Sequence, residues 1–230
     1  MNEKSGAKPC LYCGAKATCF TKLTDEELIV TGESRVEIKY KKGEIITKQG
    51  SFASNILFLK EGLVKLYLET EGDHDFILNF YNAGKLIGLP SLYDTIVSYS
   101  VAAVEDCVVC SIDIGTFRNL VMENGKFAAE IINTINHCTQ FSFDKMVSLT
   151  QKQLNGRLAD AFIYFSKYVF DSQKFKLNIS RKEMADFTGM STISVIRILK
   201  DFNKDGLVVY NNGYYEIPDM KRLEQISAVG

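Results

Sequence analysis

The chain has 230 residues, 46% apolar and 24% charged, with a formal net charge of −1. These are ordinary globular values, with room for two domains that each bury a core. No stretch approaches the ~20 apolar residues of a membrane span, and the opening MNEKSGAKPC carries no apolar signal run. A cytoplasmic protein without membrane attachment is therefore expected. In that reducing compartment its six cysteines point to metal or redox chemistry rather than a disulfide framework.

Residues 1–22 read as a cysteine-rich arm, with Cys10, Cys13 and Cys19 at x2 and x5 spacing and little apolar periodicity. Three thiolates on a short segment need a fourth ligand from elsewhere to hold a metal or cluster. Cys107, Cys110, Cys138 and His137 are the candidates. Four thiolates suit a [4Fe–4S] cluster or a tetrahedral zinc equally. Cys107 and Cys110, three positions apart along a predicted strand, point to opposite faces. Thr24 with Glu27 opens a short helix over residues 24–33.

From Glu37 to Asp113 short apolar runs alternate with turn residues: Val36–Tyr40, Ile56–Leu59, Val64–Leu68, Asp75–Phe80, Tyr99–Val104 and Cys107–Ile112. This pattern predicts a β-sandwich or roll, taken as a sensor domain over 23–115. Residues 116–150 switch to helical spacing. Phe127, Ile131, Ile135, Cys138 and Phe141 form a stripe expected to serve both the chain's own core and a homodimer contact.

Residues 151–230 are expected to form a DNA-binding domain. Residues 1–150 carry 15 Lys+Arg against 19 Asp+Glu, while 151–230 carry 12 against 9, so an acidic front half precedes a mildly basic tail. A helix is predicted over 151–170 and a short strand over 175–179. Ser180 and Glu183 form a capping box, Gly189-Met190-Ser191 a turn, and Ser191 caps a second helix from Thr192 to Asn203. Val195, Ile198, Leu199 and Phe202 make its inner face, and a hairpin follows around Asn211-Asn212-Gly213.

A winged helix-turn-helix lays its second helix in the major groove. That places Ser191, Thr192, Ile193, Ser194, Arg197 and Lys200 at the DNA, with Arg197 suited to guanine. Ser180, Arg181 and Lys182, at a helix start, suit phosphates. No acid–base constellation surrounds His74 or His137, so an enzyme is not expected.

Taken together these features resemble the CRP/FNR family of bacterial regulators over nearly the whole chain. The strongest local matches are Gly62-Leu63-Val64-Lys65, Gly84-Lys85-Leu86-Ile87-Gly88 and Gly189–Leu199. The resemblance implies an α+β chain: a cyclic-nucleotide-binding-like β-roll, a long dimerisation helix and a winged helix-turn-helix. It also implies RNA polymerase as a partner. Within the family the cysteine spacing is similar to the oxygen-responsive FNR branch. That likeness implies a [4Fe–4S] cluster on Cys10, Cys13, Cys19 and Cys110 that favours the dimer and is dismantled by oxygen. The alternative is a regulator of the same fold whose cysteines bind zinc or act as thiol switches, or whose roll senses another effector.

The cyclic-nucleotide branch fits less well. Its phosphate pocket uses an acidic residue and an Arg-Ser pair where this chain has Leu89, Val97 and Ser98. The recognition helix also departs from the family pattern. Ile193 stands where a glutamate usually accepts a bond from cytosine, and an isoleucine can instead touch a thymine methyl.

Overall fold

The computed structural model describes residues 10–13, 18–71 and 75–230. Most of the expected arm at 1–22, and His74, lie outside the described residues. The chain divides into two compact units. One comprises the described residues up to Leu66 with Tyr81–Cys138, the other Tyr67–Phe80 with Thr139–Gly230.

Residues 35–113 form a β-roll. Strands β1 (Arg35–Tyr40), β2 (Ile45–Thr47), β3 (Asn55–Glu61), β4 (Leu63–Leu68), β5 (Phe76–Asn82), β6 (Leu86–Ile87), β7 (Ser100–Ala103) and β8 (Cys107–Asp113) form two sheets. Their orders are β1-β8-β3-β6 and β2-β7-β4-β5. The end of β4 and most of β5 belong to the second unit. Central β3 carries the continuous apolar run Ile56–Leu59 and buries all four residues, as a strand covered on both faces does. A single glycine turns β3 into β4. Gly62 has φ +94, and a Cβ there would sit 2.6 Å from Cys107 Cβ, so no larger residue fits.

Helix α1 (Asp25–Glu33) starts with the capping box expected of Thr24 and Glu27. Thr24 N–H donates to Glu27 Oε2 at 2.7 Å, and Glu27 N–H donates to Thr24 Oγ1 at 3.2 Å. Phe20, Cys19 and Leu28 pack into one core with Phe58, Cys110, Ile112, Phe117, Phe127 and Ile131.

The helical run expected over 116–150 is broken. Helix α2 (Ile114–Glu123) ends at Asn124, whose backbone is extended, and α3 (Gly125–Gln151) begins afresh. Asn124 drives the break from both ends of its amide. Its Oδ1 accepts the N–H groups of Lys126 and Phe127 at 3.1 and 3.0 Å. Its Nδ2 donates to Lys22 O at 3.1 Å and Glu27 Oε2 at 2.9 Å.

In the second unit α4 (Leu154–Tyr164) runs into one wider turn, Phe165–Val169. Strand β9 (Lys174–Phe175), helices α5 (Arg181–Thr188) and α6 (Thr192–Lys204), and the hairpin β10 (Val209–Asn211) and β11 (Tyr214–Glu216) follow. The sheet order is β10-β11-β9. Asn212 (φ 50) and Gly213 (φ 84) supply the two left-handed residues of a tight hairpin turn.

Helix α7 (Met220–Val229) is an element that the sequence reading did not assign. Asp219 caps it, and Leu223 is fully buried. Phe80, Phe165 and Phe187 pack ring to ring within this unit. Beside them the buried Lys145 amine donates to Ile77 O and Leu78 O at 2.6 and 3.0 Å, and it lies 3.8 Å from the Phe187 ring centroid. Burial holds its pKa well below the ordinary lysine value.

Candidate functional site

The helix-turn-helix is assembled by local chemistry. Ser180 Oγ accepts the Glu183 N–H at 3.0 Å while Glu183 Oε2 accepts the Ser180 N–H at 2.7 Å. Gly189 closes α5 in the left-handed region, φ 62. Ser191 Oγ then accepts the Ser194 N–H at 3.1 Å to start α6.

At 3.6 residues per turn, Ile193, Ile196, Arg197 and Lys200 fall within an arc of about 100°. Val195, Ile198, Leu199 and Phe202 occupy the opposite arc and are buried. The outer arc is exposed, Ile193 at 80% and Ile196 at 52%. Ser191 is exposed too, with Thr192 and Ser194 half-buried at the helix start. Ile196 was not among the expected contact residues. Its signal was present, as a large apolar side chain lying off the inner stripe. Arg181, expected at phosphate, is turned onto the wing: Nη1 donates to Tyr215 Oη, and the guanidinium lies 6.0 Å from the Tyr210 ring. Lys182, the neighbouring cation, is exposed.

The cysteines separate into two groups. Cys10, Cys13 and Cys110 line one cavity with Arg35, Phe20, Leu28, Phe58 and Ile112. Cys19 is buried in the same core. Burial pushes the Cys19 thiol up to about 12. Cys110 is also raised by burial, opposed by Arg35. Cys107, on the other face of β8, lies beneath Gly62, and its thiol is pushed to about 11 by burial. Cys138 sits exposed on α3, 3.4 Å from Tyr81 Oη.

Arg35 was not foreseen, because only the β1–β8 register reveals it. Glu37 pairs with Cys110 and Arg35 with Ile112, so all four share a face. Arg35 Nη1 donates to Cys110 Sγ at 3.2 Å. Glu37 stands 3.5 Å from the same nitrogen and 2.9 Å from Lys60 Nζ. The Lys60 bond, more than the Arg35 charge, keeps the Glu37 carboxyl below its ordinary range.

Soft donors and apolar walls suit an iron–sulfur group. Gly32 leaves room for the Cys10 turn, since a Cβ there would stand 3.3 Å from Cys10 N. The cavity encloses about 20 Å³, the scale of one water. Among the described residues no three His, Cys, Asp or Glu converge tightly enough for a metal ion. Three of the four expected donors, Cys10, Cys13 and Cys110, thus line one thiol-rich apolar cavity, while Cys19 lies in the adjoining core and not on the cavity wall.

The dimer stripe needs correcting. Phe127 and Ile131 are 0% and 2% exposed, packed into their own roll core, so neither is available to a second chain. Phe141 packs against Tyr164. The exposed apolar face of α3 is instead Ile132, Ile135, Phe143 and Met146. Of the expected residues, Ile135 belongs to it, and Cys138 is exposed nearby.

Residues 37–124 match the sequence family described as a cyclic nucleotide-binding domain, and residues 156–226 match the Crp-like helix-turn-helix domain. The chain is 24% identical over 225 residues to the fumarate and nitrate reduction regulatory proteins of Yersinia pestis and Escherichia coli K12. Each alignment covers 95% of this chain and 90% of the relative. Among solved structures, FixK2 from Bradyrhizobium japonicum superposes with a TM-score of 0.79 at 19% identity, covering 85% of this chain and 98% of its own. A CooA mutant from Carboxydothermus hydrogenoformans gives 0.74 at 21% identity, covering 95% and 99%. No helix among the described residues is long and apolar enough to cross a membrane.

Proposed function

The chain belongs to the CRP/FNR family of DNA-binding transcriptional regulators, and we propose that an oxygen-labile [4Fe–4S] cluster on Cys10, Cys13, Cys19 and Cys110 switches its dimerisation and operator binding. The observation that carries this reading is the common cavity of Cys10, Cys13 and Cys110, with Cys19 in the adjoining core. Similarity to the fumarate and nitrate reduction regulatory proteins supports it. A bound cluster supplies covalent ties between thiolates distant in sequence, ties that oxygen removes.

The chain's own residues supply the connection to dimerisation. Asn124, at the start of α3, holds Lys22 O and Glu27. Lys22 Nζ also stands 3.8 Å from Glu130. Any shift of the arm needed to gather the thiols is therefore delivered to the first turns of α3. That helix presents Ile132, Ile135, Phe143 and Met146 to a second copy. We read 151–230 as the DNA-reading module and RNA polymerase as the expected protein partner. Cyclic-nucleotide sensing is disfavoured, because Gly88–Ser98 holds no cation and a buried phosphate would lack a charge partner.

Anaerobic purification followed by iron and sulfide analysis tests the reading. About four of each per chain are expected, lost in Cys110→Ser and kept in Cys107→Ser. Stoichiometric zinc without iron would instead support a thiolate zinc site on the same fold.

A further inference from the structure

The outer arc of α6 combines two exposed isoleucines with two exposed cations, and that combination says what covers it. We infer that Ile193 and Ile196 read thymine methyl groups within about two base pairs of the guanine contacted by Arg197, the distance set by the helical rise between residues 193 and 197. The inference rests on the reading of α6 as the recognition helix and specifies the sequence class it takes.

Three observations support it. The buried arc of α6 is complete without either isoleucine, so neither is needed for the core. Both branch at Cβ and have few rotamers, so each presents a nearly fixed apolar surface. A protein partner on this face would have to bury Arg197 and Lys200 along with them. The major groove takes all four, with cations at guanine and phosphate and apolar groups at the thymine methyl, the one apolar group a base edge offers there.

The test uses the full chain, purified without oxygen, and a random-sequence duplex library. Enriched half-sites should contain guanine with thymine close by. Replacing each such thymine by deoxyuridine removes only the 5-methyl group and should weaken binding about fourfold per contacted position, the partition of one methyl. Ile193→Ala and Ile196→Ala should each lose the thymine-over-uracil preference at one position while keeping the guanine requirement. Ile193→Glu should move the selection toward cytosine. Enriched sites indifferent to uracil would overturn the inference and leave the DNA-binding reading intact. Failure to enrich any sequence would overturn both.

Discussion

At the scale of single residues, burial matters most for the thiols. Burial pushes the Cys19 pKa up to about 12, above the ordinary 9.0 of an unfolded thiol. The folded-state value is raised, so this contribution to stability is whole below 9 and is lost as pH rises toward 12. Cys107, raised to about 11, acts in the same direction. Urea unfolding of the metal-free chain at about pH 8 and about pH 10.5 should show an alkaline loss of stability that Cys19→Ala reduces. An identical loss in that variant would contradict the burial of Cys19.

Residues with local signatures, such as Ser180, Gly189 and Ser191, were legible because caps and turns depend on neighbours a few positions away. Arg35 and Asn124 were not. Arg35 meets Cys110 only through strand register, and Asn124 acts on Lys22 and Glu27 across roughly a hundred residues of sequence.

At the scale of elements, α3 carries the consequence. The expected stripe of Phe127, Ile131, Ile135, Cys138 and Phe141 lies on one side of the helix, but the roll core covers only its first part, Phe127 and Ile131, and the exposed apolar residues Ile132, Ile135, Phe143 and Met146 lie on the adjoining arc. Only the tertiary fold separates the covered residues from the exposed ones. The two groups should respond differently to substitution. Ile135→Glu combined with Met146→Glu should give monomers by sedimentation velocity with unchanged far-UV circular dichroism, since both positions are exposed. Phe127→Ala should leave the dimer face intact but lower the stability of the roll by about 3–5 kcal/mol, measured by chemical denaturation. Dimers persisting in the double variant would place the contact elsewhere.

The longer strands of the roll were read to within one or two residues from alternation and turn chemistry, whereas the short β2 and β6 were not assigned and the strand expected over 175–179 is only Lys174–Phe175. The break at Asn124 was missed because the apolar spacing continues across it.

At the scale of the whole molecule, the proposed cysteine site draws three of its four residues from one end of the sequence, and the proposed DNA-reading helix lies near the other. Helix α3 contributes residues to both compact units. A switch of this kind requires the ligand at one site to bind the DNA-competent state better than the alternative, and the coupling is reciprocal. The order of modules was legible from the change of period along the sequence and from the basic tail. The unit boundary within α3, and the assignment of residues 67–80 to the second unit, follow from long-range packing and could not be read locally.

The account is tested most directly by titrating one anaerobic preparation onto a selected operator duplex before and after exposure to air, with iron measured on both samples. Loss of iron accompanied by at least a tenfold fall in affinity, within the usual range of coupling between sites, is the predicted result. A colourless, iron-free anaerobic protein with full operator affinity, or affinity unchanged after the iron has gone, would contradict it.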